Sequence, residues 1–398
     1  MNRIKRFTLV VLALGSAAVF AAKDSSFKIQ NSVRVGYDDN VYQSGDNEQD
    51  TAFISDIANI SGTLTFSDRS EMELYWQPEF RYRFDADPKM ITYQDLYARL
   101  SHAVSQRTFL EISDRFRYQE KDGRSDLGQT YDQNFFENDL MGALDFTLNA
   151  QSQIKVGGGY EFRTWEDDAY GEWDPTIARS GNDYDQWKAN GSFVRELNKG
   201  TTYGLVGVNY LDHEYDGARG GFNSTTLYGG VDQIFSPNLS GTAQLGYSFS
   251  SVDSSDGTVS NSEDTSSPFL QAGLDYKAAE RTSINGSLGY SLSQSQNSIY
   301  NASDAFDVAL GVRHDLTGKI TLSSTLSYVF SLYDSAYSAW GLEDAEEDYI
   351  RFNVRGSYQI NRNNFVDVGY EFSYRDSDSD FLQEYTRNRF DIGWRLRL

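Results

Sequence analysis

The sequence predicts an all-β fold: a transmembrane antiparallel up-and-down β-barrel of about 18 strands. Three observations predict it. Apolar and polar residues alternate through long segments, as in "SINGSLGYSLS" at 283–293, where Ile284, Leu288, Tyr290 and Leu292 share one face. Tight polar turns alternate along the chain with longer acidic connections. Beyond the first twenty residues no apolar run is long enough for a membrane-spanning helix.

The chain opens with "MNRIKRFTLVVLALGSAAVFAA". Arg3, Lys5 and Arg6 form a basic region, Phe7 to Val19 an apolar one, and Val19-Phe20-Ala21 offers small residues before a cut. The expectation is a secretory signal peptide over 1–21, with 22–398 as a single barrel domain. An uncleaved anchor is the weaker alternative, because the apolar run is short.

Strands are expected at 27–38, 55–67, 71–85, 91–104, 108–119, 136–148, 152–165, 184–197 and 201–213. They continue at 223–235, 240–251, 267–277, 282–294, 304–315, 320–333, 348–360, 364–375 and 384–398. A tilted membrane strand needs about 9–11 residues, whereas globular strands average about 5–6. A tyrosine closes every second strand, at Tyr37, Tyr82, Tyr118, Tyr160, Tyr210, Tyr247, Tyr290, Tyr328 and Tyr370. That period reads as a repeated hairpin.

Short turns fall at 67–70, 105–108, 149–151, 198–201, 236–239, 278–281, 316–319 and 361–364. Long connections fall between them, among them 120–135, 166–183, 252–267 and 334–347. Short periplasmic turns with long external loops are the plan of outer-membrane barrels. An even strand number puts both termini in the periplasm.

In "EMELYWQPEFRYRF" (71–84), Met72, Leu74, Trp76, Pro78, Phe80, Tyr82 and Phe84 oppose Glu71, Glu73, Gln77, Glu79, Arg81 and Arg83. A soluble sandwich also alternates. Aromatics toward the long-loop ends, full charges on the polar faces, and the ending "FDIGWRLRL" favour a barrel in lipid. In that ending Asp391, Gly393, Leu396 and Leu398 fit the signal read by barrel-insertion machinery, with Leu at a terminus where Phe or Trp is more usual. The apolar faces then meet outer-membrane lipid, and the polar faces enclose a watery lumen.

The expected lumen is two-sided. Candidate lining residues on one side are Arg81, Arg83, Arg99, Arg115, Arg117, Arg351, Arg355, Arg387, Arg389 and Arg395, with Glu79 and Glu371 among them. The other side is hydroxyl- and amide-rich, with Gln244, Ser248, Asn285, Ser287, Ser323 and Thr325. Arginine rings favour anions, and Tyr75, Tyr93 and Tyr97 offer faces for sugar rings. The plainer reading is a cross-strand salt-bridge ladder that stiffens the wall. Acidic stretches at 38–50, 343–348 and 376–380 read as solvated loops or as Ca²⁺-binding or lipid-bridging segments.

Composition excludes several functions. A net charge of −23 does not suit nucleic acid. There is no cysteine, so no disulfide framework, and three histidines in all, so the usual zinc and haem sites are lacking. No cofactor or metal is expected. His102, His213 and His314 are scattered, no Ser–His–acid set converges, and an enzyme is not expected.

The opening "SVRVGYDDNVYQSG" resembles the family called putative β-barrel porin 2, whose members often begin with a strand ending in Gly-Tyr-Asp-Asp-Asn-Val. The resemblance implies an integral barrel of the bacterial outer membrane, and some such barrels act in exopolysaccharide export. It implies no catalytic residue. Three functions follow as expectations: a channel for secreted polysaccharide with periplasmic export components as partners, a general diffusion porin for small polar solutes, and a plugged structural or adhesive barrel.

Overall fold

In the computed structural model, residues 23–45, 48–120, 134–165, 183–215, 221–255, 260–294, 300–335, 344–379 and 384–398 are described. The expected leader and parts of the longer connections, 121–133, 166–182 and 336–343 among them, lie outside the described residues.

Eighteen strands follow one another in the chain. They are β1 (Asp24–Asp38), β2 (Thr51–Ser67), β3 (Ser70–Arg83), β4 (Met90–Ala103), β5 (Thr108–Gln119) and β6 (Phe135–Asn149). Next come β7 (Ser152–Trp165), β8 (Tyr184–Asn198), β9 (Thr202–Tyr215), β10 (Gly221–Ser236), β11 (Leu239–Ser255) and β12 (Ser260–Ala279). The last are β13 (Thr282–Gln294), β14 (Tyr300–Asp315), β15 (Ile320–Ser335), β16 (Ala345–Gln359), β17 (Asn364–Ser377) and β18 (Tyr385–Arg397). Each pairs antiparallel with its chain neighbours, and β18 pairs with β1 from Gln30/Arg397 to Asp38/Arg389, so the sheet closes. Closure leaves no sheet edge, which is what hydrocarbon demands of backbone N–H and C=O groups. The all-β, eighteen-stranded barrel expected from sequence is the fold observed.

Alternation sets the two faces. On β1, Val33, Val35 and Tyr37 are exposed while Ser32 and Asp38 are buried. On β3, Trp76, Phe80 and Tyr82 are exposed while Glu79, Arg81 and Arg83 are buried. The exposed apolar side is the outward, lipid-facing one. The nine periodic tyrosines each stand on an odd-numbered strand, on its outward face. Several donate to a polar group at the rim: Tyr37 to Asp50 (2.8 Å), Tyr118 to Glu120 (2.9 Å), Tyr328 to Asp348 (2.5 Å) and Tyr370 to Asn388 (2.7 Å). An amphipathic ring at the membrane boundary is stable for that reason: its body sits in lipid and its hydroxyl in water.

One expected boundary moves substantially. β12 begins at Ser260, not near 267, and pairs with β11 up to Ser255/Ser260. Residues expected as a long loop over 252–267 are therefore mostly ladder. Both faces of this Ser- and Asp-rich stretch are polar, so the alternation that marks a membrane strand is absent although the backbone pairing continues.

Candidate functional site

The inward faces build the candidate site. Arg81, Arg83, Arg387, Arg389 and Glu79 fall on the face opposite the exposed apolar side chains, toward the long-loop end of β3 and β18, and all five are buried. Arg81 donates to Glu79 at 2.7 Å. Arg387 donates to both oxygens of Asp38, at 2.9 and 2.5 Å. Two guanidiniums stand over the Phe53 ring, Arg81 at 5.2 Å and Arg389 at 5.0 Å from its centroid. Arg83 donates to the Pro88 carbonyl at 3.0 and 2.6 Å and sits over the Tyr42 ring. These charges form a packed network, shielded from open water.

The motif that carried the family resemblance explains the shielding. After Tyr37, Asp38 takes Arg387; Asp39 accepts from the Asn388 backbone N–H (2.6 Å) and side-chain amide (2.7 Å); Asn40 donates to the Thr386 carbonyl (3.0 Å) and the Ser44 carbonyl (2.7 Å). Three successive residues thus bolt the end of β1 to the start of β18. The chain beyond them turns inward: Val41 and Gln43 are buried, and the Tyr42 hydroxyl donates to the Asp87 carbonyl while accepting from its N–H. This segment covers the charged network from the loop side.

The remaining candidates are less covered. Arg115 donates from Nε and Nη2 to Asp95, at 3.0 and 2.8 Å. Arg117 and Arg163 share Glu137. Arg99 pairs with Glu73 at 2.5 Å and lies 3.9 Å from Glu111. Arg351 reaches Glu371 at 3.2 Å, Arg355 reaches Asp391 at 3.0 Å, and Arg395 reaches Asp367 at 2.7 Å. Closure of β18 on β1 brings these pairs together with those of β3–β7 as one continuous wall. Tyr75 and Tyr97 face each other in register on the same wall.

The hydroxyl-rich wall holds an arrangement that alternation does not reveal. β12 and β13 pair up to Leu270/Tyr290 and no further among the described residues. β12 nevertheless continues along β11, and β13 along β14. Leu292 and Ala302 have the outward parity of their strands, yet they pack with Phe222 and Val252, which have the inward parity of β10 and β11. That contact requires the β13–β14 hairpin end to lie inside the wall formed by β10–β12. The Ser267 hydroxyl donates to Asp304 across the overlap, at 2.6 Å. Ser224, Ser248, Ser250 and Ser267 are buried beneath it and bond in part to one another. The mouth is therefore narrowed from two sides, by residues 39–45 and by this hairpin.

Sequence reasoning missed two features. On the outward face, Asn138 donates to Asp114 at 2.6 Å, amid Phe116, Phe136 and Leu140. An acid on an otherwise apolar stripe was the only signal for it. Two hydroxyl–imidazole contacts also form at the short-turn rim, Ser70 to His102 (2.7 Å) and Thr282 to His314 (2.9 Å). Among the described residues, no group of three or more His, Asp or Glu stands where it could hold a metal ion.

The chain is similar in fold to the FrpB iron transporter of Neisseria meningitidis (F3-3 variant), with a TM-score of 0.53, 12% identity, and coverage of 95% of this chain and 70% of that one. It is also similar to OccK2 (OpdF) of Pseudomonas aeruginosa, with a TM-score of 0.50, 11% identity, and coverage of 95% and 99%. At such identities the likeness is one of fold alone. No curated protein matches the chain. The family model described as putative beta-barrel porin 2 matches residues 211–398, a C-terminal segment whose last strand meets the Gly-Tyr-Asp-Asp-Asn motif at the β1–β18 seam. Over β10–β18 the chain is thus similar to the putative beta-barrel porin 2 family, and these strands complete the closed barrel.

Proposed function

We propose that this porin-like barrel sits in the bacterial outer membrane with both termini in the periplasm, and that it conducts polar, hydroxyl-rich solutes. A secreted polysaccharide is the cargo we favour. The observation that carries this reading is the inner face itself: one wall of charged pairs and one of Ser, Thr, Asn and Gln, running the length of the barrel. A stiffening ladder alone would not need the second wall to be polar. Barrels of 16–18 strands enclose an aqueous channel unless plugged.

The buried network at the loop end and the inward hairpin favour a second reading, a barrel held nearly closed until a partner opens it. Reconstitution in planar bilayers separates the two. Stepwise conductance with blockade by neutral oligosaccharide supports the conduit; a silent bilayer supports the closed barrel. A gene deletion that leaves secreted matrix unchanged argues against polysaccharide and for small solutes. We infer no catalytic role, because the two hydroxyl–imidazole contacts stand at the rim with no acid bonded to either ring among the described residues.

A further inference from the structure

The chain carries 58 acidic against 35 basic side chains. A lumen with that average composition would repel anions. The inner wall departs from the average through the order in which its charges are layered. In the Arg115–Asp95 pair the arginine side chain is 47% exposed and the aspartate side chain 7%. In the Arg355–Asp391 pair the values are 25% and 8%. Arg395 over Asp367 follows the same order, and Glu137 lies buried beneath both Arg117 and Arg163. In each case the acid is set against the barrel wall and the base stands on the lumen side.

Such a pair is neutral in sum but presents its positive end to a solute. The nearer charge dominates because the interaction falls with distance, and the acid behind it is shielded by its own partner. The pairs run from β5 and β7 on one flank of the wall to β16–β18 on the other. Three groups depart from the order. Lys188 on β8 is 25% exposed against 31% for Asp139 on β6, within the wall itself. Glu73 and Glu111 flank Arg99 with comparable exposure at the short-turn end. Asp232, Asp275 and Asp307 have inward parity on β10, β12 and β14, across the lumen. Strand spacing and tilt make an eighteen-stranded barrel about 30 Å across. The facing acids are then separated from the cation layer by more than the Debye length of about 8 Å at physiological salt.

We infer that this wall is a lane for acidic saccharide chains, so that the cargo carries carboxylates; the inference rests on the conduit reading above. The test uses the detergent-solubilised barrel and two probes of equal length, hexagalacturonate and maltohexaose. Titration calorimetry is expected to show hexagalacturonate binding at least tenfold tighter than maltohexaose, with the difference shrinking as salt rises. The informative variants neutralise whole pairs, Arg115→Gln with Asp95→Asn and Arg395→Gln with Asp367→Asn. They leave net charge unchanged and replace each ion pair with an amide pair. Folding is verified by heat-modifiable migration, and Arg115→Lys serves as the conservative control. A drop of at least fivefold in hexagalacturonate affinity in the neutralised pairs, with retention in Arg115→Lys, supports the lane. Equal affinity for the two probes, or no change in the neutralised pairs, overturns it. Bilayer recordings separate this from the channel itself. Conductance without acidic preference removes the lane and keeps the conduit; binding without conductance removes the conduit and, with it, the lane.

Discussion

The Arg387 guanidinium donates from Nε and Nη2 to the two carboxylate oxygens of Asp38, 349 positions away in the chain, across the seam that closes the barrel. Both side chains are almost wholly withdrawn from solvent. A buried fork–fork pair of this kind is costly to break, because the surviving partner keeps its charge without compensation. The same pair begins the run of contacts from Asp38, Asp39 and Asn40 to β18. The most distinctive motif of the sequence is thus a fastening between the first and last strands.

Asp38→Ala is expected to lower barrel stability by about 3–5 kcal/mol, because it strands Arg387. Asp38→Leu with Arg387→Met removes both charges and should recover most of the loss. Denaturant-dependent unfolding in detergent, read by heat-modifiable migration, gives both values. Equal destabilisation by the single and double variants would contradict the pairing argument.

Asn138 and Asp114 make the same point on the lipid face. Asn138→Ala deprives the Asp114 carboxyl of its donor in a non-polar setting and should cost about 1–3 kcal/mol. Asp114→Ala with Asn138→Ala removes both polar groups and should cost less than Asn138→Ala alone. A double-mutant cycle in detergent or liposomes reads the difference.

Gly246 is required by packing. A Cβ there would stand 2.2 Å from the Leu227 carbonyl oxygen and 2.8 Å from the Tyr228 Cβ. Backbone cannot yield as a flexible side chain can. Gly246→Ala should therefore destabilise by about 1–3 kcal/mol. The same substitution at Gly318, whose Cβ would meet nothing within 4 Å, is the control and should change stability little.

The inward β13–β14 hairpin rests on a small apolar contact with β10 and β11. Leu292→Asp and Val252→Asp each place a carboxylate in that contact, which burial disfavours. Single-channel recordings should show larger conductance steps in both variants than in the parent, while β-sheet content by circular dichroism is unchanged. Unaltered steps would mean that the hairpin does not narrow the path.

The Ser70–His102 contact has the geometry of a nucleophile and its base, with no orienting acid bonded to the ring among the described residues. Fluorophosphonate labelling of the folded barrel should leave Ser70 unmodified, and Ser70→Ala should leave conductance unchanged. Covalent labelling of Ser70 would reopen an enzymatic role.

The sequence by itself determined the strands, their hairpin order and the face that meets lipid. Those properties are local: alternation over a dozen residues fixes which side is apolar, and a polar turn fixes where the chain reverses. The arginines of β3, β5 and β18 were legible as inward-facing for the same reason. Which acid meets which base was not legible. Asp38 finds Arg387, and Glu137 finds both Arg117 and Arg163, only once closure and register set the neighbours. The turn of residues 39–45 over the charged network and the tuck of Leu292 and Ala302 against Phe222 and Val252 likewise belong to tertiary structure. Above the membrane both faces of a strand are polar, so periodicity carries no information there, and packing alone chooses where the chain folds.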